Sequence, residues 1–145
     1  MRLAFLVPLL SLLCFASTNA SAAQIVGIGG KCLNVQGGGS ADGTPIILWP
    51  CSGTPNEQWH RNGSRITGIG GKCLNVQGGG SADGTPIILW PCSGTENERW
   101  FFRGNRIVGL GGKCLNVQGG GDADGTPIIL WPCSGTPNEV WHVRR

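Results

Sequence analysis

The sequence predicts an all-β protein made of three copies of one unit. Three observations predict it: a block written three times, turn residues dense enough to break every helical run, and short β-type runs between those turns. The block is GIGGKCLNVQGGGSADGTPIILWPCSGTPNEQW, Gly27 to Trp59. It returns at Gly68–Trp100 and, with GLGGKC and GGGDADG variants, at Gly109–Trp141. Cys32, Cys73 and Cys114 mark a period of 41, as do Trp49, Trp90 and Trp131. A fixed period of this size is one supersecondary unit used three times. Glycine costs about 1 kcal/mol per helical position, so the glycine punctuation excludes helices.

The first 23 residues read as a secretory signal peptide. Arg2 is a short basic region, Leu3 to Phe15 is apolar, and Ala20-Ser21-Ala22 or Ser21-Ala22-Ala23 offers small residues for cleavage. The run is short of the ~20 residues that span a bilayer, and no later segment is apolar enough to cross. The expected domain is therefore 24–145, exported to the extracellular space, and barely long enough for three repeats.

Within the first repeat the expected strands are Gln24–Val26, Cys32–Val35, Ile46–Trp49 and Gln58–Arg61. Gly-rich turns separate them, including the tight-turn dipeptide Asp42-Gly43 and its copies Asp83-Gly84 and Asp124-Gly125. Asn62-Gly63 and Gly104-Asn105 are two-residue hairpin loops joining the last strand of one repeat to the first of the next. By the same rule Trp141–Val143 pairs with Gln24–Val26 and closes the ring. Twelve strands in three fourfold units closed on themselves make a β-trefoil with pseudo-threefold symmetry. A linear solenoid would leave both ends unpaired.

Cys14 lies in the signal segment, leaving six cysteines, two per repeat. In an exported chain this is a disulfide framework. Threefold symmetry leaves two regular pairings, one within each repeat and one across repeat boundaries (Cys51–Cys73, Cys92–Cys114, Cys133–Cys32). The within-repeat pairing is preferred because each repeat then carries its own staple. A closed loop of about twenty residues is worth roughly 3 kcal/mol in the chain-entropy model. Zinc is a poor competitor, because the cysteines lack C-x-x-C spacing.

The order K-C-L-N-V, A-D-G-T-P, I-L-W-P-C and N-E-x-W, three times over Gln24–Arg145, resembles the ricin B-type (R-type) β-trefoil lectins. The resemblance implies a carbohydrate-binding function and the disulfides Cys32–Cys51, Cys73–Cys92 and Cys114–Cys133. It implies two jobs for tryptophan. Trp59, Trp100 and Trp141 take the Gln-x-Trp position, which packs in the core. Trp49, Trp90 and Trp131 take the position on which a sugar ring stacks; a flat indole suits the apolar C–H face of a pyranose.

The implied polar partners are Asn34, Asn75 and Asn116, where sugar-binding repeats of the family carry Asp, and Asn56, Asn97 and Asn138 near the repeat ends. Asn keeps an acceptor but loses the charge-assisted strength of a carboxylate. Ile47, Ile88 and Ile129 stand where the family often has a Gln. Glu57, Glu98 and Glu139 replace the Gln of Gln-x-Trp, either restoring a carboxylate near the site or only holding the loop. Galactose preference therefore does not carry over, and weak, multivalent glycan binding is expected.

Other classes fare worse. His60 and His142 are matched by Phe101 in the remaining repeat, so no threefold mechanism needs them. Asp42, Asp83, Asp122 and Asp124 sit in Gly-rich turns, where Asp satisfies backbone N–H groups. Gly-Gly-Gly lacks the Lys and helix of a phosphate loop. No catalytic residue, metal site or cofactor is expected. Without Arg2, ten Lys/Arg face eight Asp/Glu, too few and too dispersed for a nucleic-acid footprint, and Arg144-Arg145 reads as a solvated end. A monomer is expected. The competing reading is a protein-interacting trefoil, such as a protease inhibitor or effector, using Phe101-Phe102 as its individual feature. Asn62-Gly63-Ser64 is a glycosylation sequon on a surface hairpin.

Overall fold

The computed structural model describes residues 3–11 and 22–145. Residues 3–11 carry no regular structure. The rest of the apolar run, Cys14 and the first two small residues of the expected cleavage segment lie outside the described residues.

Twelve strands form: β1 (Gln24–Val26), β2 (Cys32–Val35), β3 (Ile46–Trp49), β4 (His60–Asn62), β5 (Arg65–Thr67), β6 (Cys73–Val76), β7 (Ile87–Trp90), β8 (Phe101–Arg103), β9 (Arg106–Val108), β10 (Cys114–Val117), β11 (Ile128–Trp131) and β12 (His142–Arg144). They make three four-stranded sheets, ordered β12-β1-β2-β3, β4-β5-β6-β7 and β11-β10-β9-β8. Every pairing within them is antiparallel. The ring closes as expected, with Ile25 opposite Val143. Among the described residues the only helical pieces are one-turn 3-10 segments. No helix among them is long and apolar enough to cross a membrane.

Register follows from side-chain alternation. In the β2–β3 pair, Leu33 faces Leu48 and Val35 faces Ile46. All four are buried in one cluster with Ile25, Trp59 and their copies in the other repeats. Strands β3, β7 and β11 meet around the threefold axis, tied by the bridges Pro45–Ile88, Pro86–Ile129 and Ile47–Pro127. Each bridge joins two repeats, so no repeat buries its apolar face alone.

Two details differ from the sequence reading. β4 begins at His60 rather than Gln58, because the Gln58 N–H donates to Pro55 O and closes a 3-10 turn. The first hairpin turns at Gly63-Ser64 rather than Asn62-Gly63, since Asn62 pairs with Arg65. Gly63 has φ 61° and Ser64 is not left-handed, a type II′ turn that needs glycine only at its first central position. Gly104-Asn105 turns where expected, between the paired Arg103 and Arg106.

The folded body takes in Ala23. Its N–H donates to Trp59 O at 2.9 Å and its carbonyl accepts from Trp59 N at 2.8 Å. Ser64 and Asn105 accept from Trp100 and Trp141 in the same way. The disulfides are Cys32–Cys51, Cys73–Cys92 and Cys114–Cys133, one per repeat.

Candidate functional site

The two sets of tryptophans separate completely. Trp59, Trp100 and Trp141 are 2%, 2% and 4% exposed. Each indole N–H donates to a β2-type carbonyl: Leu33, Leu74 and Leu115 at 2.9, 2.9 and 3.0 Å. Burial of an indole without that bond would strand a donor. Trp49, Trp90 and Trp131 are 43%, 43% and 42% exposed at the last position of β3, β7 and β11. The preceding leucine on each of those strands points into the core, so alternation turns the indole outward.

Beside the outward tryptophans are open clefts. One of 740 Å³ is lined by Trp90, Asn75, Asn97, Ile88 and Gln77. A second of 460 Å³ repeats the set as Trp131, Asn116, Asn138, Ile129 and Gln118. The first repeat carries the same residues at Trp49, Asn34, Asn56, Ile47 and Gln36, with the same exposure and hydrogen bonds. The structure thus brings the aromatic and both asparagines of a repeat to one cleft.

Each site borrows a wall from its neighbour. Gly43, in the Asp-Gly turn of the first repeat, lies against Trp90, and its N–H donates to Leu89 O at 2.7 Å. Gly84 stands likewise to Trp131, and Gly125 to Trp49. A side chain at Gly43 would meet the indole edge at 3.8 Å and would also have to accept φ 83°. Lys72–Asp42, Lys113–Asp83 and Lys31–Asp124 pair at 2.6, 2.7 and 2.7 Å across the same boundaries.

The asparagines have distinct duties. Asn34, Asn75 and Asn116 are 3% exposed, and each Nδ2 donates to the carboxylate of Glu57, Glu98 or Glu139 at 3.0, 3.1 or 3.4 Å. Asn75 and Asn116 line their clefts, and with the amide nitrogen committed to that carboxylate the acceptor left to each is Oδ1. Asn56, Asn97 and Asn138 donate to Val35, Val76 and Val117 O at 3.0, 3.0 and 2.9 Å, and accept from Thr54, Thr95 and Thr136. Both ends of these amides are tied down, leaving one N–H and one lone pair for a ligand.

Glu57, Glu98 and Glu139 are fully buried. Glu57 also accepts from Ser52 N at 2.8 Å, Ser52 Oγ at 3.1 Å and Gly53 N at 3.3 Å. Of the two roles left open for this residue, the carboxylate holds the loop after the disulfide. Glu98 and Glu139 do the same through Ser93 and Ser134. The two residues that depart from the family pattern, Asn for Asp and Glu for Gln, are thus hydrogen-bonded to each other in every repeat. Cys114, Cys133 and Glu139 lie close together, but both sulfurs are spent in a disulfide.

The glutamines were missed in the sequence. Gln77 and Gln118 line the clefts and are exposed. They supply amide function that Ile88 and Ile129 cannot. Their signal was a glutamine after C-L-N-V in all three copies.

Each of these clefts sets a half-exposed indole beside asparagine and glutamine amides on a closed trefoil. The chain belongs to the ricin-type β-trefoil lectin domain family, which matches residues 62–145, while the related lectin domain-like family matches 15–90. A 36-residue stretch is 47% identical to nigrin b of Sambucus nigra, covering 25% of this chain and 6% of that protein. The match therefore reaches a small part of that relative's length. ThreeFoil, a designed threefold symmetric protein, superposes with TM-score 0.79 at 27% identity, covering 86% of this chain and 98% of that one. The C-half of an earthworm R-type lectin, solved with GalNAc, gives TM-score 0.75 at 20% identity with the same coverage, a likeness of fold.

Proposed function

We propose that the protein is a secreted lectin that holds glycans or polysaccharide weakly and multivalently through three repeated sites. The observation that carries the reading is the threefold outward tryptophan over a cleft lined by asparagine. Trp49, Trp90 and Trp131 offer stacking area. Asn34, Asn75 and Asn116 offer a carbonyl acceptor, and Gln36, Gln77 and Gln118 offer amides at the rim. A neutral amide binds a sugar hydroxyl less strongly than a carboxylate does. Each site alone is then expected near millimolar affinity, about −4 kcal/mol. Three equal sites on one rigid body gain avidity on a polymeric or clustered glycan.

The family supports carbohydrate binding as the activity, and binding needs no group positioned for proton transfer. Three disulfides suit an oxidising, extracellular setting. The test is retention on insoluble polysaccharide by wild type and by a W49A/W90A/W131A variant. The variant is expected to elute with the void while it still unfolds cooperatively in urea with the buried Trp59, Trp100 and Trp141 as the fluorescence probe. Unchanged retention would remove the proposed sites.

A further inference from the structure

We propose that the inter-repeat hairpins form a second ligand surface, one that takes an anionic polysaccharide by its sulfate or phosphate groups. The charges of the chain are sorted in space. Arg61, Arg65, Arg99, Arg103, Arg106, Arg144 and Arg145 are every arginine of the folded body. All lie on or beside the hairpin strands β4–β5, β8–β9 and β12, and all are exposed. Residues 58–67, 99–108 and 140–145 contain no acid. Elsewhere the lysines pair with Asp42, Asp83 and Asp124, and the two exposed acids Glu96 and Asp122 stand outside those segments. Glu57, Glu98 and Glu139 are buried under their loops. Among the described residues no arginine pairs with a carboxylate within salt-bridge distance.

The arginines also flank concave ground. A cleft of 380 Å³ between β4–β5 and β8–β9 is bordered by Arg61 and Arg103. A second of 290 Å³ shares Arg61 and adds Arg145. A third of 290 Å³ shares Phe101 and Ser64 with the first and is flanked by Arg65 and Arg99. Its carboxylate, Glu98, is the buried one already bonded to Ser93, Gly94 and Asn75. The first cleft shares Arg61 and Gly63 with the second and Ser64 and Phe101 with the third, so paired guanidiniums border a track of neighbouring clefts. Arg103 and Arg106 stand directly opposite across β8–β9, a like-charge pair that costs stability and that an anion between them would relieve. The guanidinium fork matches sulfate and phosphate oxygens bidentately.

A polysaccharide fits this ground better than a bilayer. The clefts are concave, Phe102 is capped by Arg61 at 3.7 Å from its ring centroid, and the exposed large apolar side chains here are Phe101 and Val143. Phe101 offers a sugar ring a stacking face between the clefts. Apart from Thr95, which borders both the Trp90 cleft and the Arg65–Arg99 cleft, the surface shares no lining residue with the tryptophan clefts, and none of its arginines, so it stands or falls independently of the proposed sites.

The experiment is surface plasmon resonance on dextran sulfate and neutral dextran at 0.15 M salt, with protein made without N-glycosylation because Asn62 adjoins Arg61. Wild type is expected to prefer dextran sulfate at least tenfold. R61Q/R99Q/R103Q is expected to lose that preference, while W49A/W90A/W131A keeps it within twofold. R61K/R99K/R103K is expected to weaken severalfold, because the charge stays but the fork goes. Wild-type binding by the Gln variant, or by the Lys variant, would overturn the paired-guanidinium track. So would equal binding to phosphatidylserine vesicles or duplex DNA. The R103E variant keeps a test open if the triple variants unfold. It exchanges a like-charge pair for an opposite one, so it should melt higher than wild type yet bind dextran sulfate less.

Discussion

The Asn34–Glu57 pair can be tested by exchanging its chemistry. Glu57 accepts four hydrogen bonds inside the protein, from Asn34 Nδ2, Ser52 N, Ser52 Oγ and Gly53 N. In E57Q one accepting oxygen becomes a donor, and one or two of those donors are orphaned. An unsatisfied buried donor costs about 1–3 kcal/mol, so E57Q is expected to lose about 2–4 kcal/mol. In N34D two carboxylates face each other at a position now spanned by a 3.0 Å hydrogen bond. An uncompensated buried charge costs about 3–5 kcal/mol. The two facing acids repel each other, so at neutral pH N34D is expected to cost more than E57Q. The double variant N34D/E57Q restores one donor and one acceptor across the pair. It is expected to recover at least about 2 kcal/mol of the summed losses, an interaction energy typical of residues in one network. Urea unfolding with disulfides intact measures all four corners of the cycle. Additivity within about 0.5 kcal/mol would refute the claim that Asn34 and Glu57 act as one coupled pair.

Other outcomes follow from the same geometry. A methyl group at Gly68 would sit 2.7 Å from the Trp59 ring; G68A is therefore expected to cost about 1–3 kcal/mol, read as a lower urea midpoint. Removing one staple, as in C73S/C92S, opens a loop with sequence separation 19 and should cost roughly 3 kcal/mol, read by thermal unfolding. The Lys72–Asp42 pair is half open to solvent on its Asp side, so D42N should cost under about 1 kcal/mol. That small loss should vanish in 1 M salt, where the Debye length falls to about 3 Å. If secretion removes a leader, cleavage is expected to leave Ala23 in place, since its backbone pairs with Trp59; amino-terminal sequencing of the secreted protein reads this directly.

Much of this fold was legible because the repeat states it three times. The period, the β-type runs between glycines and the hairpin dipeptides fix twelve strands and their order. The Gly63-Ser64 turn escaped because glycine leads a II′ turn and Asn62 looked like part of the loop. The outward and inward tryptophans were separable through the family resemblance, which gives one role to the set before Pro-Cys and another to the set at the Gln-x-Trp position. What a linear reading could not supply were contacts across 23 residues or across repeats. The bond from Asn34 to Glu57 and the wall that Gly43 lends to Trp90 are of this kind. The arginine face was obscured for another reason. Summed over the chain, its charge is nearly cancelled by acids, six of which in the fold are buried glutamates or aspartates paired with lysine. Counting arginines by segment rather than in total would have exposed it.

The central claim is that the three tryptophan clefts bind sugar, and a multivalent glycan array on the oxidised, secreted protein tests it most directly. The account predicts binding to clustered glycans that millimolar free sugar competes away and that W49A/W90A/W131A abolishes. A blank array from a protein with native near-ultraviolet circular dichroism would contradict it.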